Sequence, residues 1–284
     1  MKPKLVIIGE THPDKIEDML SFMDLLKRRE ISTLSGRKRF IPASGHPGTK
    51  LRVKHIVTDI IKREGDILKE NGITRLMIEI PRSEIYLSAF KDYRKNRDIT
   101  KVKNRLCLLA QDERKVEYGK AAEFVDGLNV SAKAREFIFD LLKAKAGSGA
   151  SIMPIFYLAQ LNAAKRAGLF DIVPVEDPEA YTKASALRRL LELPDIQRSL
   201  DAKAPSSPGM NGDLGLIARS ALMQIANYSH EREERMAMNI EEGYTPGSAV
   251  LIGKGHLKSI VRLLSGRFEV REYAVNLPDA LLSL

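Results

Sequence analysis

Short apolar runs rich in β-branched residues alternate along the chain with longer stretches whose apolar positions recur at helical spacing. Lys4–Ile8 is the first such run and reads as a buried strand stopped by Gly9. Arg75–Ile80, Asp171–Val175, Ser248–Ile252 and Phe268–Ala274 read the same way, with Pro81 ending the second and Gly253 the fourth. Helical spacing occupies Lys15–Arg28 and then Val53–Glu70, where Ile56, Ile60, Ile61, Ile67 and Leu68 form the apolar face and Asn71–Gly72 is the stop signal. Glu84 to Ala146 is predicted helical with breaks near Thr100 and Leu128–Ser131, Ser131 capping Ala132–Ala146. Further helices are predicted over Ile152–Ala167, closed by Gly168, and over Glu179–Leu193, Asp213–Glu242 and Leu257–Leu264. The Ser, Pro and Gly content of Pro194–Gly212 predicts a long irregular loop and a candidate lid.

Strands alternating with helices predict an α/β fold, with a largely parallel (mixed) central sheet flanked by helices. The 284 residues suit one α/β domain over 1–284 with a helical insertion at 84–150, followed by a flexible joint at Gly147–Ser151. Hydrophobic residues at 44% and charged residues at 29% are the balance of a packed globular chain and argue against wholesale disorder. No run of about 18 apolar residues appears, and Met1–Glu10 leads into a strand pattern rather than a signal peptide. The expectation is a cytoplasmic protein with no membrane segment. The single Cys107 excludes an intramolecular disulfide and a multi-thiolate metal site, and is read as a packed core thiol.

A net charge of +9 favours anionic partners. Nine basic residues gather in Lys27–Lys54, around the Gly- and Pro-containing Ser32–Thr49, and such a segment either holds phosphates or is a solvated basic loop. Nucleic-acid association through Arg28–Lys54 is one reading, but Phe40 is the only stacking aromatic near the run.

In open α/β sheets ligands bind beyond the carboxyl ends of the strands, so the residues there are the first candidates for chemistry. Glu10 and His12 follow the first predicted strand, Glu79 ends the second, Glu176 and Asp177 end the third, and His256 follows the fourth. Histidines with carboxylates supply nitrogen and oxygen metal ligands or acid–base partners. Gly9, Gly253 and Gly255 permit tight turns and close approach of a ligand to the backbone. The plain alternative is structural: a histidine or Asp177 there caps a neighbouring helix, and Glu79 is a solvated strand end. A separate signal comes from the long late helix, where Ile225, Tyr228, Arg232, Met236 and Asn239 share one face. An arginine in an apolar stripe either meets a carboxylate or anionic ligand, with Glu10, Glu79 or a bound anion as the expected partner, or snorkels at the stripe's edge.

With these residues in order, the chain resembles the erythromycin esterase, ChaN, TraB and Tiki superfamily. Val6–His12 (VIIGETH) is similar to its opening Gly-Glu-x-His strand and Met77–Ile80 (MIEI) to its second, glutamate-bearing strand. Arg232–Ile240 (REERMAMNI) resembles the Arg-Asp-x-x-Met-Ala-x-Asn helix, with Glu233 in place of Asp, and Val250–His256 (VLIGKGH) resembles the late Gly-x-x-His motif. Members are hydrolases, including metal-dependent peptidases and a macrolide esterase, or bind haem. The resemblance therefore implies a hydrolase of an ester, amide or peptide bond in a small-molecule or peptide substrate, with haem or another anionic ligand in the same cleft as the alternative. Glu10, His12, Glu79, Arg232 and His256 would be catalytic, and Gly9, Asp177, Asn239, Gly253 and Gly255 would bind ligand. Glu10, His12, Glu79 and His256 would hold any divalent metal (Mn, Zn or Co).

Overall fold

The structure is a computed structural model that describes residues 2–10, 47–98, 102, 115–147, 153–201 and 210–275. The helix predicted at Lys15–Arg28, His12 and Cys107 lie outside the described residues, as do Lys27–His46 and the side chains of 47–54 of the basic Lys27–Lys54 segment. In chain order the elements are β1 (Lys4–Glu10), α1 (Pro47–Glu70), β2 (Arg75–Pro81), α2 (Glu84–Asn96), α3 (115–126), α4 (Ala132–Gly147), α5 (Met153–Ala167) and β3 (Ile172–Glu176). They continue with α6 (Pro178–Leu191), α7 (Pro194–Asp201), α8 (Met210–Gly243), β4 (Ser248–Gly253), α9 (Lys254–Leu264) and β5 (Glu269–Val275). Among the described residues, then, a five-stranded, all-parallel sheet is flanked by nine helices, an α/β fold without the antiparallel component that a mixed sheet allows.

The strand order is β3-β2-β4-β1-β5. Its consequence for chemistry is that the late strand β4 lies between the two early ones. Glu10 pairs in register with Gly253, and Ile78 with Leu251, so the carboxyl ends of β2, β4 and β1 stand side by side. Six successive residues of β1, from Leu5 to Glu10, are buried, because a parallel strand inside a sheet is covered on both faces. β5 borders the sheet and is mostly exposed. β1 runs two residues beyond the predicted Lys4–Ile8: Gly9 pairs with Ile252 and Ala274, so the glycine continues the strand instead of stopping it.

By contacts the chain divides into two compact units. The first comprises Met1–Glu79, Ile152–Val173 and Tyr244–Leu284. Leu5, Ile7, Ile8, Met77, Val250 and Ile252 are completely buried in it, and each such side chain contributes about 1.5–3 kcal/mol by leaving water. Gly72 and Gly168 close α1 and α5 as the sequence predicts, at φ 62° and φ 76°, a left-handed conformation that side chains resist.

The second unit comprises Ile80–Ser151 and Pro174–Gly243 and has its own core. Tyr118, Val125, Ile138, Leu142, Leu190, Ile196, Ile217 and Ala221 pack together there from α3, α4, α6, α7 and α8. The helices predicted over 84–150 therefore belong with α6, α7 and α8. Ser131 caps α4 as expected, its hydroxyl accepting from the Ala134 N–H at 3.3 Å. Of the loop predicted at Pro194–Gly212, the described ends are helix, Pro194–Asp201 being α7 and Met210–Gly212 opening α8, while 202–209 lie outside the described residues. Pro194 is harmless in a first turn, Asp195 pairs with Arg198 at 2.7 Å and Ile196 is buried, so local turn chemistry is overridden by packing.

Candidate functional site

The first unit gathers Glu10, Glu64, Glu79, Gln160 and His256 at the carboxyl ends of its strands, all of them buried. Glu79 leaves the end of β2 and accepts a hydrogen bond from the Gly253 N–H through Oε2, at 2.5 Å. Its other oxygen, Oε1, lies 3.6 Å from Nε2 of His256 in the first turn of α9. One carboxylate thus spans two strands and faces an imidazole, an arrangement that follows directly from β4 lying beside β2. The His256 side chain keeps 11% of its surface and that of Glu79 4%, so the pair is shielded but not sealed.

Glu10, at the end of β1, accepts from Nε2 of Gln160 at 2.6 Å, and the same nitrogen reaches the Leu251 carbonyl at 3.3 Å. Burial pushes the Glu10 carboxyl well above the usual carboxylate range; Glu64 reinforces the shift, Glu79 adds to it, and the Gln160 hydrogen bond opposes it. Burial also raises Glu64, to about 7, against the pull of its hydrogen bond with Glu10. Two carboxyl groups so placed share a proton near neutrality. Glu64 and Gln160 were not singled out from the sequence. Glu64 had a signal, since it stands four residues after Ile60 and four before Leu68 on the apolar face of α1, the pattern that picked out Arg232. Gln160 carries no comparable mark.

Arg232 and Asn239 belong to the second unit, with Glu176, Asp177 and Tyr181. Arg232 is 2% exposed, so it does not snorkel; its Nη2 donates to Glu176 Oε2 at 2.5 Å, and its guanidinium lies 5.3 Å from the Tyr181 ring. The expected partner was Glu10, Glu79 or a bound anion; the carboxylate found is Glu176. Asn239 donates to the Val175 carbonyl at 2.9 Å and accepts from Arg82 at 2.6 Å, bonds that tie α8 to the end of β3. Asp177 is the N-cap of α6, accepting from the Ala180 N–H at 2.8 Å, the capping alternative weighed above. The same unit carries a groove of about 650 Å³ lined by Phe124, Lys183, Leu187 and Tyr228 among others, which includes none of the predicted site residues.

The glycines also divide. A Cβ on Gly9 would lie 2.7 Å from Cδ2 and 3.1 Å from Cβ of Leu257, so α9 makes a close approach to the backbone there. Gly253 is extended, at φ −60° and ψ 137°, and acts through its N–H. Gly255 is exposed and a Cβ on it would meet nothing within 4 Å. His12, the fourth member of the expected metal-ligand set, lies outside the described residues; among those described, no three His, Cys, Asp or Glu side chains are grouped to hold a metal ion.

Comparison with protein-family models, curated proteins and solved structures finds no match to this chain. Among the described residues no helix is long and apolar enough to cross a membrane.

Proposed function

We propose that the chain is a hydrolase of an ester, amide or peptide bond in which His256 is the general base and Glu79 orients it. The observation supporting this is the Glu79 carboxylate, fixed at one oxygen by the Gly253 N–H and facing His256 Nε2 with the other at 3.6 Å. A carboxylate beside the ring helps to orient the imidazole and stabilises the imidazolium once formed. The imidazole takes a proton from water as the water oxygen adds to the carbonyl carbon. The same proton passes to the leaving oxygen or nitrogen as its bond to that carbon breaks, so the reaction needs no other reactant. Arg232 has a supporting role in this reading, because Glu176 already meets its charge.

The motif order Glu10, His12, Glu79, Arg232, His256 and its resemblance to the erythromycin esterase, ChaN, TraB and Tiki superfamily give independent support. A cytoplasmic setting, with the basic Lys27–Lys54 segment meeting an anionic partner, belongs to the same proposal and draws on the lone Cys107 and the charge of +9. The test is a panel of ester, anilide and peptide substrates with wild type, His256→Ala and Glu79→Gln. Wild-type turnover falling about 10²–10⁴-fold in His256→Ala is the expected result. Equal turnover by the two proteins, or none by wild type, overturns the reading.

A further inference from the structure

We infer that the exposed face of α9 is a substrate subsite for an acidic peptide, whose carboxylates lie along Lys254, Lys258 and Arg262 beside His256. These three residues recur at steps of four, all exposed, and share one face of the helix at intervals of about 6 Å. Other helices pair their surface cations with an acid one turn away: Lys120 with Glu123, Lys183 with Glu179, Arg198 with Asp195 and Arg235 with Glu231. α9 has no such acid. From Gly243 to Phe268 the chain carries four Lys and Arg residues and no Asp or Glu. Lys258 and Arg262 have no side-chain partner among the described residues. Arg262, in the last turn, complements the helix dipole, but Lys254 opens the helix, where a cation is disfavoured and no acid stands in the first turn. The ridge is arranged against the helix's own electrostatics, and an anionic chain along it supplies the missing charge.

His256 stands between Lys254 and Lys258 in the first turn, with Nε2 3.6 Å from Glu79. The ridge therefore starts at the proposed base, and the inference rests on that reading for the bond that is cut. In an extended peptide, alternate side chains share a side at about 6.6–6.8 Å, close to the step of the ridge, so Asp or Glu at every second position meets successive cations. The exposed residues from Lys254 to Arg267 include no aromatic side chain, so the bases of a single-stranded nucleic acid find no stacking platform there, which favours a peptide. Lys2, whose Nζ donates to the Ser265 carbonyl at 2.8 Å, adds a cation at the far end. Glu272 is on the α9 side of the sheet, because it pairs in register with Ile7, two residues before the Gly9 that faces Leu257. It makes no ion pair with Lys258 or Arg262. This surface is separate from the basic Lys27–Lys54 segment.

The experiment is fluorescence anisotropy of a peptide alternating Asp with Ala and carrying a neutral dye, beside the same peptide with Asn for Asp. Each is titrated with full-length protein at about 50 and about 300 mM NaCl. The acidic peptide should bind about tenfold more tightly at low salt, and most of that preference should vanish at high salt. Lys258→Gln with Arg262→Gln should weaken acidic-peptide binding about fivefold and leave the Asn peptide unchanged. Lys133→Gln with Lys143→Gln removes the same charge from the exposed face of α4 and should leave both peptides bound as by wild type. A thymidine oligonucleotide of equal charge should bind more weakly than the acidic peptide. No preference for the acidic peptide, an equal loss in the α4 variant, or tighter binding of the oligonucleotide overturns the inference. Binding is read without turnover, so preference without hydrolysis removes the hydrolase reading alone, and hydrolysis of neutral substrates without preference removes this inference alone.

Discussion

The Glu79 carboxylate accepts the Gly253 N–H at 2.5 Å, tying the end of β2 to the residue that both ends β4 and caps α9. The same side chain therefore has a structural oxygen and a second oxygen turned to His256. Glutamine separates the two roles. Glu79→Gln retains an acceptor for Gly253 and should melt close to wild type, while losing the charge that stabilises an imidazolium and with it about 10²–10⁴-fold in kcat/KM. Glu79→Ala leaves the Gly253 N–H unmet and should cost about 1–3 kcal/mol as well. A Glu79→Gln protein turning over at the wild-type rate removes Glu79 from the mechanism.

Arg232 and Glu176 retain 3% and 0% of their side-chain surface, so removing either one takes a charged hydrogen-bond partner from a buried charge. Arg232→Ala should destabilise the protein by about 3–5 kcal/mol in urea unfolding. The double replacement Arg232→Met with Glu176→Leu should recover most of that loss, because no charge stays buried alone. Arg232→Lys, with a point charge in place of a planar fork over Tyr181, should fall between. A cost below about 1 kcal/mol for Arg232→Ala shows that the pair is not dry.

How much of this was legible in the sequence follows from how local each signal is. Strand runs, the Gly72 and Gly168 stops and the Ser131 cap depend on neighbours within a turn, and all appear within two residues of where the sequence puts them. Pro194–Asp201, the described start of the loop predicted at Pro194–Gly212, is helical because Ile196 buries itself in a core assembled from distant segments, which its local sequence does not report. The polar strand ends of Glu10, Glu79 and His256 were visible as a set, but which of them meet depends on β4 lying between β1 and β2, an order that no periodicity encodes. Arg232 was legible as a charge on an apolar stripe; its partner Glu176, 56 residues away, was not.

Gly9 is a packing position, and the geometry says how to prove it. A methyl group there meets Leu257 Cδ2 at 2.7 Å, which a rotamer change relieves, but also Leu257 Cβ at 3.1 Å, which only a shift of α9 relieves. Gly9→Ala should therefore cost about 1–3 kcal/mol. Combining it with Leu257→Ala should cost less than the sum of the two single changes, since the cavity left by leucine accepts part of the strain. Strict additivity in urea unfolding would place the Gly9 effect elsewhere.

The proton shared by Glu10 and Glu64 makes stability depend on pH in a direction opposite to that of an ordinary ion-paired carboxylate. Glu64 titrates near 7 in the folded protein against an ordinary value of 4.5, and Glu10 is displaced the same way. Between those values the folded chain holds a proton that the unfolded chain has released, so stability falls as pH rises. The contribution is complete below about pH 4.5 and is lost as pH passes through about 7. The charged neighbours facing the pair are Glu79 and each other, and none of them reverses the sign. Exposed pairs that titrate the other way, such as Glu179, which Lys183 holds below its ordinary value, are common to both proteins and cancel in a difference. With EDTA present to keep metal out, the melting temperature of Glu64→Gln minus that of wild type should be near zero at about pH 4.5. It should become positive by about pH 8, where wild type carries the buried charge and the variant does not. A difference that stays flat across that range means that Glu64 does not hold the proton.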